Sequence, residues 1–225
     1  MHIADRILGN TIFIALGAAS LPIGDSRLWL RALVSVIAFL AGCSFFSSAA
    51  RLLGPLRRAT LCASFLLQTL LVIITAVLAQ TRVAPAFGLT QLNANAHIDL
   101  AQKHANENHP AVYIVIALLA FQASGQITLS RSLGFNEIPS LVMTSLYCDL
   151  LSDPKLLLLP IGANVKRNRR VASVVLFIIG GIMSGWLQRT VVGMPGTLWI
   201  TAGVKLILAV TWMAWPGKVG GGKSG

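Results

Sequence analysis

Residues 59–79 read ATLCASFLLQTLLVIITAVLA, a stretch without a charged side chain. A helix needs about 20 predominantly apolar residues to cross the hydrocarbon core of a bilayer, and this stretch has that length. Four further apolar stretches of similar length are Leu28–Ala49, Ala111–Leu129, Val171–Leu187 and Thr197–Trp215. The sequence therefore predicts an all-α protein, a polytopic bundle of transmembrane helices with five full spans.

The overall composition agrees with this fold class. Of the 225 residues, 55% are hydrophobic and 11% are charged, whereas a soluble domain carries about 25% charged residues. Most of the exterior should therefore contact a lipid bilayer. The net charge of +11 resembles that of a nucleic-acid-binding protein, but the basic residues lie in short loops between apolar stretches, where they set membrane orientation. We therefore predict no nucleic-acid partner.

Basic residues orient the bundle. Arg51, Arg57 and Arg58 follow the first span, and the excess of positive charge in cytoplasmic loops places them inside. The polar loop 80–110 then lies outside. We predict one transmembrane domain over residues 1–216, followed by a flexible Gly/Lys tail, residues 217–225.

Two apolar segments, Ile7–Ile23 and Glu137–Leu151, are shorter than the five spans. If Glu137–Leu151 crossed the membrane, the strongly basic loop 152–170 would lie outside, against the usual bias. We therefore predict that this segment is re-entrant and that the loop and the C-terminus are cytoplasmic. Ile7–Ile23 lacks the clearly positive start of a signal peptide, which favours a first span or half-helix.

The order of these segments suggests an internal repeat. Each short segment precedes two spans, and the two-span connections lie on opposite sides, as an inverted-topology repeat of a transporter requires. The residue match is weak: Gly9-Asn10-Thr11 would align with Met143-Thr144-Ser145. The repeat is therefore a hypothesis.

Lys205 is the first candidate for a transport pathway, since it lies near the middle of the last span. A central lysine costs about 2.5–3.5 kcal/mol on insertion scales and usually faces a partner or a cavity. It would contact a substrate or ion. The alternatives are a structural pair or a side chain that reaches towards the membrane surface.

Two acids near the short segment are further candidates. Asn136-Glu137-Ile138-Pro139 is typical of a helix start, either an ordinary one or the end of a half-helix at which Glu137 binds a cation or proton. Asp149 lies at the other end of the segment, where a helix disfavours negative charge. We expect a partner for Asp149 in Lys155, residues 166–170 or Lys205, and a structural salt bridge is the alternative to a pathway role.

Polar residues elsewhere complete the candidate pathway. Gln122 and Gln126, like Gln68, lie in or near spans, where hydrogen bonds between helices are the alternative to pathway lining. Asn10 and Thr144 are candidates at the matched positions of the two short segments.

Small residues at four-residue spacing predict close helix packing. One set is Ala120, Ser124 and Thr128, and the other is Gly181 and Gly185.

Several familiar site patterns are incomplete. His97, His104 and His109 lack the spacing of zinc ligands, so no metal site is predicted. Residues 217–224 spell GKVGGGKS, but the strand that precedes a phosphate-binding loop is missing. The sequence contains no catalytic triad or paired carboxylates. We therefore expect neither an enzyme nor a bound cofactor.

The stretch 126–155, QITLSRSLGFNEIPSLVMTSLYCDLLSDPK, resembles fungal members of the YoaK-like family, the domain of unknown function 1275. Gly9-Asn10-Thr11 followed by IFIALGAAS resembles the T-G-N-T segment of that family, with Leu8 in place of the first Thr. The resemblance implies a polytopic membrane protein without an established activity, substrate or cofactor. Since family members carry an apolar helix before T-G-N-T, we expect that this chain lacks the first helix.

Together these features favour a small-solute or ion transporter, with a non-transporting scaffold or accessory subunit as the alternative. The sequence does not identify the solute, the membrane or the oligomeric state. The plasma membrane and a homo-oligomer are working assumptions.

Overall fold

The computed structural model describes residues 14, 27–54, 57–88, 105–135, 143–153 and 164–214. Within these ranges the regular structure is helical and contains no strand. The helices are α1 (Leu28–Leu53), α2 (Arg58–Gln80), α3 (Pro85–Gly88), α4 (Pro110–Ser132), α5 (Met143–Leu151), α6 (Val165–Gln188) and α7 (Gly193–Ala214). Five of them, α1, α2, α4, α6 and α7, are long and apolar enough to cross a membrane. The predicted all-α bundle with five spans is confirmed.

Local sequence signals set the helix ends. Gly54 ends α1 with a φ of 93°, a left-handed conformation that glycine adopts without steric cost. Pro110 stands in the first turn of α4, where its missing N–H breaks no helical hydrogen bond. At the start of α6 the Asn164 side chain accepts a hydrogen bond from the backbone N–H of Arg167, at 3.0 Å. This cap starts α6 at Val165, before the predicted span at Val171, so residues 166–170 are helical.

Helices α2 and α7 form one antiparallel pair at the centre of the bundle. The indole N–H of Trp199, near the start of α7, donates to Gln80 Oε1 at the end of α2, at 2.8 Å. Beside this bond, Leu198 packs against Ala76 and Ala79. The end of α2 therefore lies beside the start of α7.

Helices α1 and α4 form a second pair, which is parallel. Arg31, in the first turn of α1, forms a 3.1 Å salt bridge with Glu107, just before α4. Further along both helices, Gly42 lies against Ser124 and the backbone of Phe121. An added Cβ at Gly42 would stand 2.8 Å from the Phe121 carbonyl oxygen and would overlap Ser124 Oγ. The absence of a side chain at Gly42 thus permits the close approach.

Helix α4 joins the two pairs because it also packs against α2. A cluster of Ala84, Ala111, Val112 and Val115 places the start of α4 beside the end of α2. Helix α6 packs against α7 and α5, and Arg167 is its buried residue. The apolar side chains of α6 face outwards, as expected for a helix in contact with lipid.

The chain between α4 and α6 begins and ends on the same side of the bundle. Phe135 lies just after α4. The Arg169 guanidinium of α6 lies over the face of the Phe135 ring, 4.7 Å from the ring centroid. The intervening α5 has nine residues, which span ~13 Å at the rise of an α-helix, against about 30 Å for the hydrocarbon core. Both observations agree with a segment that does not cross the membrane. Its first residues, 137–142, lie outside the described ranges, so the re-entrant path stays a prediction.

These contacts define two ends of the bundle, which we name inner and outer after the orientation predicted from the sequence. The inner end contains the α1–α2 connection, the end of α4 and the basic residues 166–170. The outer end contains Arg31, Glu107, Gln80 and the α6–α7 connection. The α1–α2 and α6–α7 connections thus lie at opposite ends, as the inverted-repeat hypothesis requires. Its weak residue match involves Gly9-Asn10-Thr11, which lies outside the described ranges.

Candidate functional site

Lys205 lies near the middle of α7 and is buried, with 6% of its surface exposed. Its Nζ donates two hydrogen bonds, to Gln68 Oε1 of α2 at 2.8 Å and to Gln126 Oε1 of α4 at 3.2 Å. The ammonium group therefore lies where three of the long helices meet. We call Lys205, Gln68 and Gln126, with the adjacent Gly125, the lysine–glutamine site.

Gly125 makes room for this arrangement. A Cβ added to Gly125 would stand 2.7 Å from the Phe46 ring and 2.9 Å from Gln68 Nε2. Both distances are too short for a real side chain, so the amide of Gln68 fits beside α4 because residue 125 is glycine. Gly125 was not among the predicted site residues, although a glycine beside a glutamine within an apolar span is a signal for close approach.

Two amide atoms at this level of the bundle have no hydrogen-bond partner among the described residues. They are Gln68 Nε2, a donor, and Gln122 Oε1, an acceptor. Gln122 lies one turn from Gln126 on the same side of α4. A buried polar atom without a partner costs about 1–3 kcal/mol, so each unpaired amide atom is available to a ligand or a water molecule.

The charge at the site is also uncompensated by the described residues. Both partners of Lys205 are neutral amides. The described carboxylates are placed elsewhere: Glu107 pairs with Arg31 at the outer end, and Asp153 lies 3.8 Å from Arg170 at the inner end. The third, Asp149, is exposed on α5. A buried cation without an opposite charge is unfavourable by several kcal/mol, and it attracts anions.

For Asp149 we predicted a partner in Lys155, residues 166–170 or Lys205, and of these the structure brings Arg170 to Asp149. Its backbone carbonyl accepts a 3.2 Å hydrogen bond from Arg170 Nη1. The carboxylate that joins the basic residues is that of Asp153, which also accepts from Asn164 Nδ2 at 2.9 Å. We missed Asp153 because it follows the short helix. An acid that precedes a strongly basic stretch is the signal that could have identified Asp153.

The remaining candidates fall in three groups. Asn10 and Glu137 lie outside the described residues, and Thr144 lies in α5 with an undescribed side chain. Ala120 and Ser124 are buried on α4, and Ser124 lies against Gly42.

Gly181 and Gly185 require a correction. Gly181 is half-buried and Gly185 is exposed. An added Cβ at Gly185 would meet no atom within 4 Å. The predicted close packing is therefore missing at Gly185, because α6 lies at the edge of the described bundle and has no helix against that face.

The site lacks the donor set of a metal centre. Among the described residues no group of three His, Cys, Asp or Glu side chains is placed to hold a metal ion. The arrangement at Lys205 instead combines one positive charge with amide donors and acceptors, which can bind a small polar or anionic solute.

Comparison with known proteins gives one match. The family described as "Protein of unknown function (DUF1275)" matches residues 7–211, a range that includes every long helix up to the last turn of α7. No curated protein and no solved structure matches the chain. Five apolar helices and this match together make the chain a multi-pass membrane protein that belongs to the DUF1275 family.

Proposed function

We propose that the protein transports a small solute or ion and that the lysine–glutamine site is its binding site. The observation that carries this proposal is the position of Lys205, buried midway along α7 and bonded only to neutral amides among the described residues. Ionisable residues within transmembrane helices typically mark substrate or ion pathways. Transporter sites also lie near the bilayer midplane, and Lys205 lies near the middle of α7.

Two features distinguish this reading from the structural alternatives for Lys205. A structural ion pair would join the ammonium group to a carboxylate, but the structure pairs it with Gln68 and Gln126. A lysine that reaches the membrane surface would expose its ammonium group, but Lys205 is buried. Both features favour a site at which a bound solute supplies the negative charge that balances Lys205.

A scaffold or accessory subunit is the competing function, in which the same three side chains only join α2, α4 and α7. Flux measurements separate the two. The purified protein is reconstituted into proteoliposomes and assayed with a panel of labelled anions, cations and neutral solutes, beside the Lys205→Met variant. Met has a similar length and no charge, so it fills the same space between the helices.

If the protein is a transporter, the wild-type protein should carry at least one solute. Lys205→Met should abolish this flux while the protein stays folded. Folding is checked by gel filtration and thermal unfolding. A folded wild-type protein that carries none of the solutes would overturn the proposal and favour the scaffold. Flux that is equal in both proteins would place the pathway elsewhere.

The remaining proposals concern the activity, the partners, the membrane and the assembly of the protein. We propose no catalytic activity and no bound cofactor, with the lipid bilayer and the solute as partners. The plasma membrane is the working location, and surface labelling of an epitope in the outer loop 80–110 tests it. Cross-linking in native membranes tests the homo-oligomer.

A further inference from the structure

We infer that the lysine–glutamine site binds a small anion with a single negative charge and oxygen acceptors, such as a monocarboxylate. This inference rests on the proposed function and specifies its solute class. Charge is the first argument. Lys205 brings one positive charge into the middle of the bundle, and its partners, Gln68 and Gln126, are neutral. One mobile anion would neutralise it, whereas a solute cation would add to an uncompensated charge.

Hydrogen-bonding capacity is the second argument. Two of the three ammonium protons of Lys205 are used by Gln68 and Gln126, so the described residues leave one proton unused. Gln68 Nε2 is a fully buried donor without a partner in the described part of the chain. Because Oε1 and Nε2 belong to the same amide, an anion beside Gln68 can accept from both Lys205 and Gln68. A carboxylate has two acceptor oxygens for these two donors.

Accessibility is the third argument. Gln126 is exposed on the described bundle, although its Oε1 contacts the buried ammonium group. The binding position is therefore one side chain away from the surface. Gly125 lets the Gln68 amide lie directly against α4, next to Gln126, because a side chain at residue 125 would overlap Gln68 Nε2.

The test uses the full chain in detergent and measures equilibrium binding of radiolabelled acetate and lactate, with choline as a cationic and glycerol as a neutral probe. We expect saturable binding of acetate or lactate. Lys205→Met should weaken it about tenfold or more, since it removes the charge. Saturable binding of choline or glycerol alone would overturn the inference.

Gln68→Glu is the decisive variant. It keeps the size of the side chain and fixes a carboxylate beside Lys205, which would occupy the place of the mobile anion. We expect weaker acetate binding by about tenfold or more, together with a higher midpoint of thermal unfolding. Gln80→Glu is the matched control on the same helix, because residue 80 lies at the outer end and its acceptor oxygen for Trp199 is retained. It should leave binding unchanged.

Two results with the Gln68→Glu variant would overturn the inference. If Gln68→Glu retains wild-type acetate binding, the anion site is elsewhere and the inference is overturned. It is also overturned if Gln68→Glu lowers the unfolding midpoint and Glu137→Gln restores it, since Lys205 would then have a counterion within the chain.

Binding and flux can fail separately. Anion binding without flux would reject transport and keep the anion site. Lys205-dependent flux of a neutral solute, unaffected by acetate and lactate, would reject the anion site and keep transport.

Discussion

Lys205 and Gln68 meet at 2.8 Å, each from near the middle of its helix, where the antiparallel helices α2 and α7 cross the bundle. In the repeat hypothesis, α2 and α7 are equivalent helices, since each is the second span after a short segment. Their contact then lies close to the symmetry axis, where inverted-repeat transporters bind their solutes. A repeat thus explains why the polar contact occurs at this level.

The contact between α1 and α4 predicts a difference between two glycines. Gly42→Ala should destabilise the protein by about 1–3 kcal/mol, because the new methyl group would overlap Ser124 Oγ and the Phe121 backbone. Gly185→Ala is the control on α6, where the added methyl group meets open space. It should be neutral or stabilise by up to about 1 kcal/mol through helix propensity. Thermal unfolding in detergent compares the two, and equal effects would contradict the parallel α1–α4 packing.

The contact between Trp199 and Gln80 predicts the cost of one hydrogen bond. Trp199→Phe removes the indole donor and leaves Gln80 Oε1 without this partner, so we expect a loss of about 1 kcal/mol of stability. Trp186→Phe is the control, because Trp186 is 73% exposed and should tolerate the change. Chemical unfolding measures the stability of both variants. A larger loss of stability for Trp186→Phe would show that the Trp186 side chain is covered in the folded protein.

The ion pair between Arg31 and Glu107 predicts coupling between α1 and the loop before α4. Both side chains are partly exposed, so their interaction should contribute about 0.2–1 kcal/mol. Glu107→Arg should be destabilising, and the double variant Arg31→Glu with Glu107→Arg should recover part of the loss. A double-mutant cycle gives the coupling energy. Strictly additive effects would show that this pair does not join the two elements.

The arrangement of the helices predicts which residues can be labelled from each side. In a variant without Cys43, Cys62 and Cys148, Lys166→Cys should react with a membrane-impermeant maleimide only after the cells are opened. Val191→Cys, in the exposed α6–α7 connection, should react in intact cells. Labelling of residue 166 from outside would show that the segment between α4 and α6 crosses the membrane.

The helices themselves were predictable from the sequence, because an apolar stretch such as residues 59–79 has one stable form in a bilayer. Its backbone groups must bond to each other, and a single helix satisfies them. The predicted orientation rests on local charge, and Arg51, Arg57 and residues 166–170 lie at one end of the bundle. Helix packing was harder to predict, as Gly185 shows in the described bundle. The spacing of Gly181 and Gly185 resembles that of Ala120 and Ser124, but spacing does not tell whether another helix is adjacent.

The sequence by itself determined the membrane class, the number of long helices and the presence of a lysine that must find a partner. Only the tertiary structure decided which partner it finds. Lys205 is separated by 137 positions from Gln68 and by 79 from Gln126, and no local pattern relates residues so distant. Their meeting depends on which helix faces pack together, and close packing in turn depends on small residues such as Gly42 and Gly125. The physical reason is that hydropathy acts along each helix separately, whereas a polar site forms between helices.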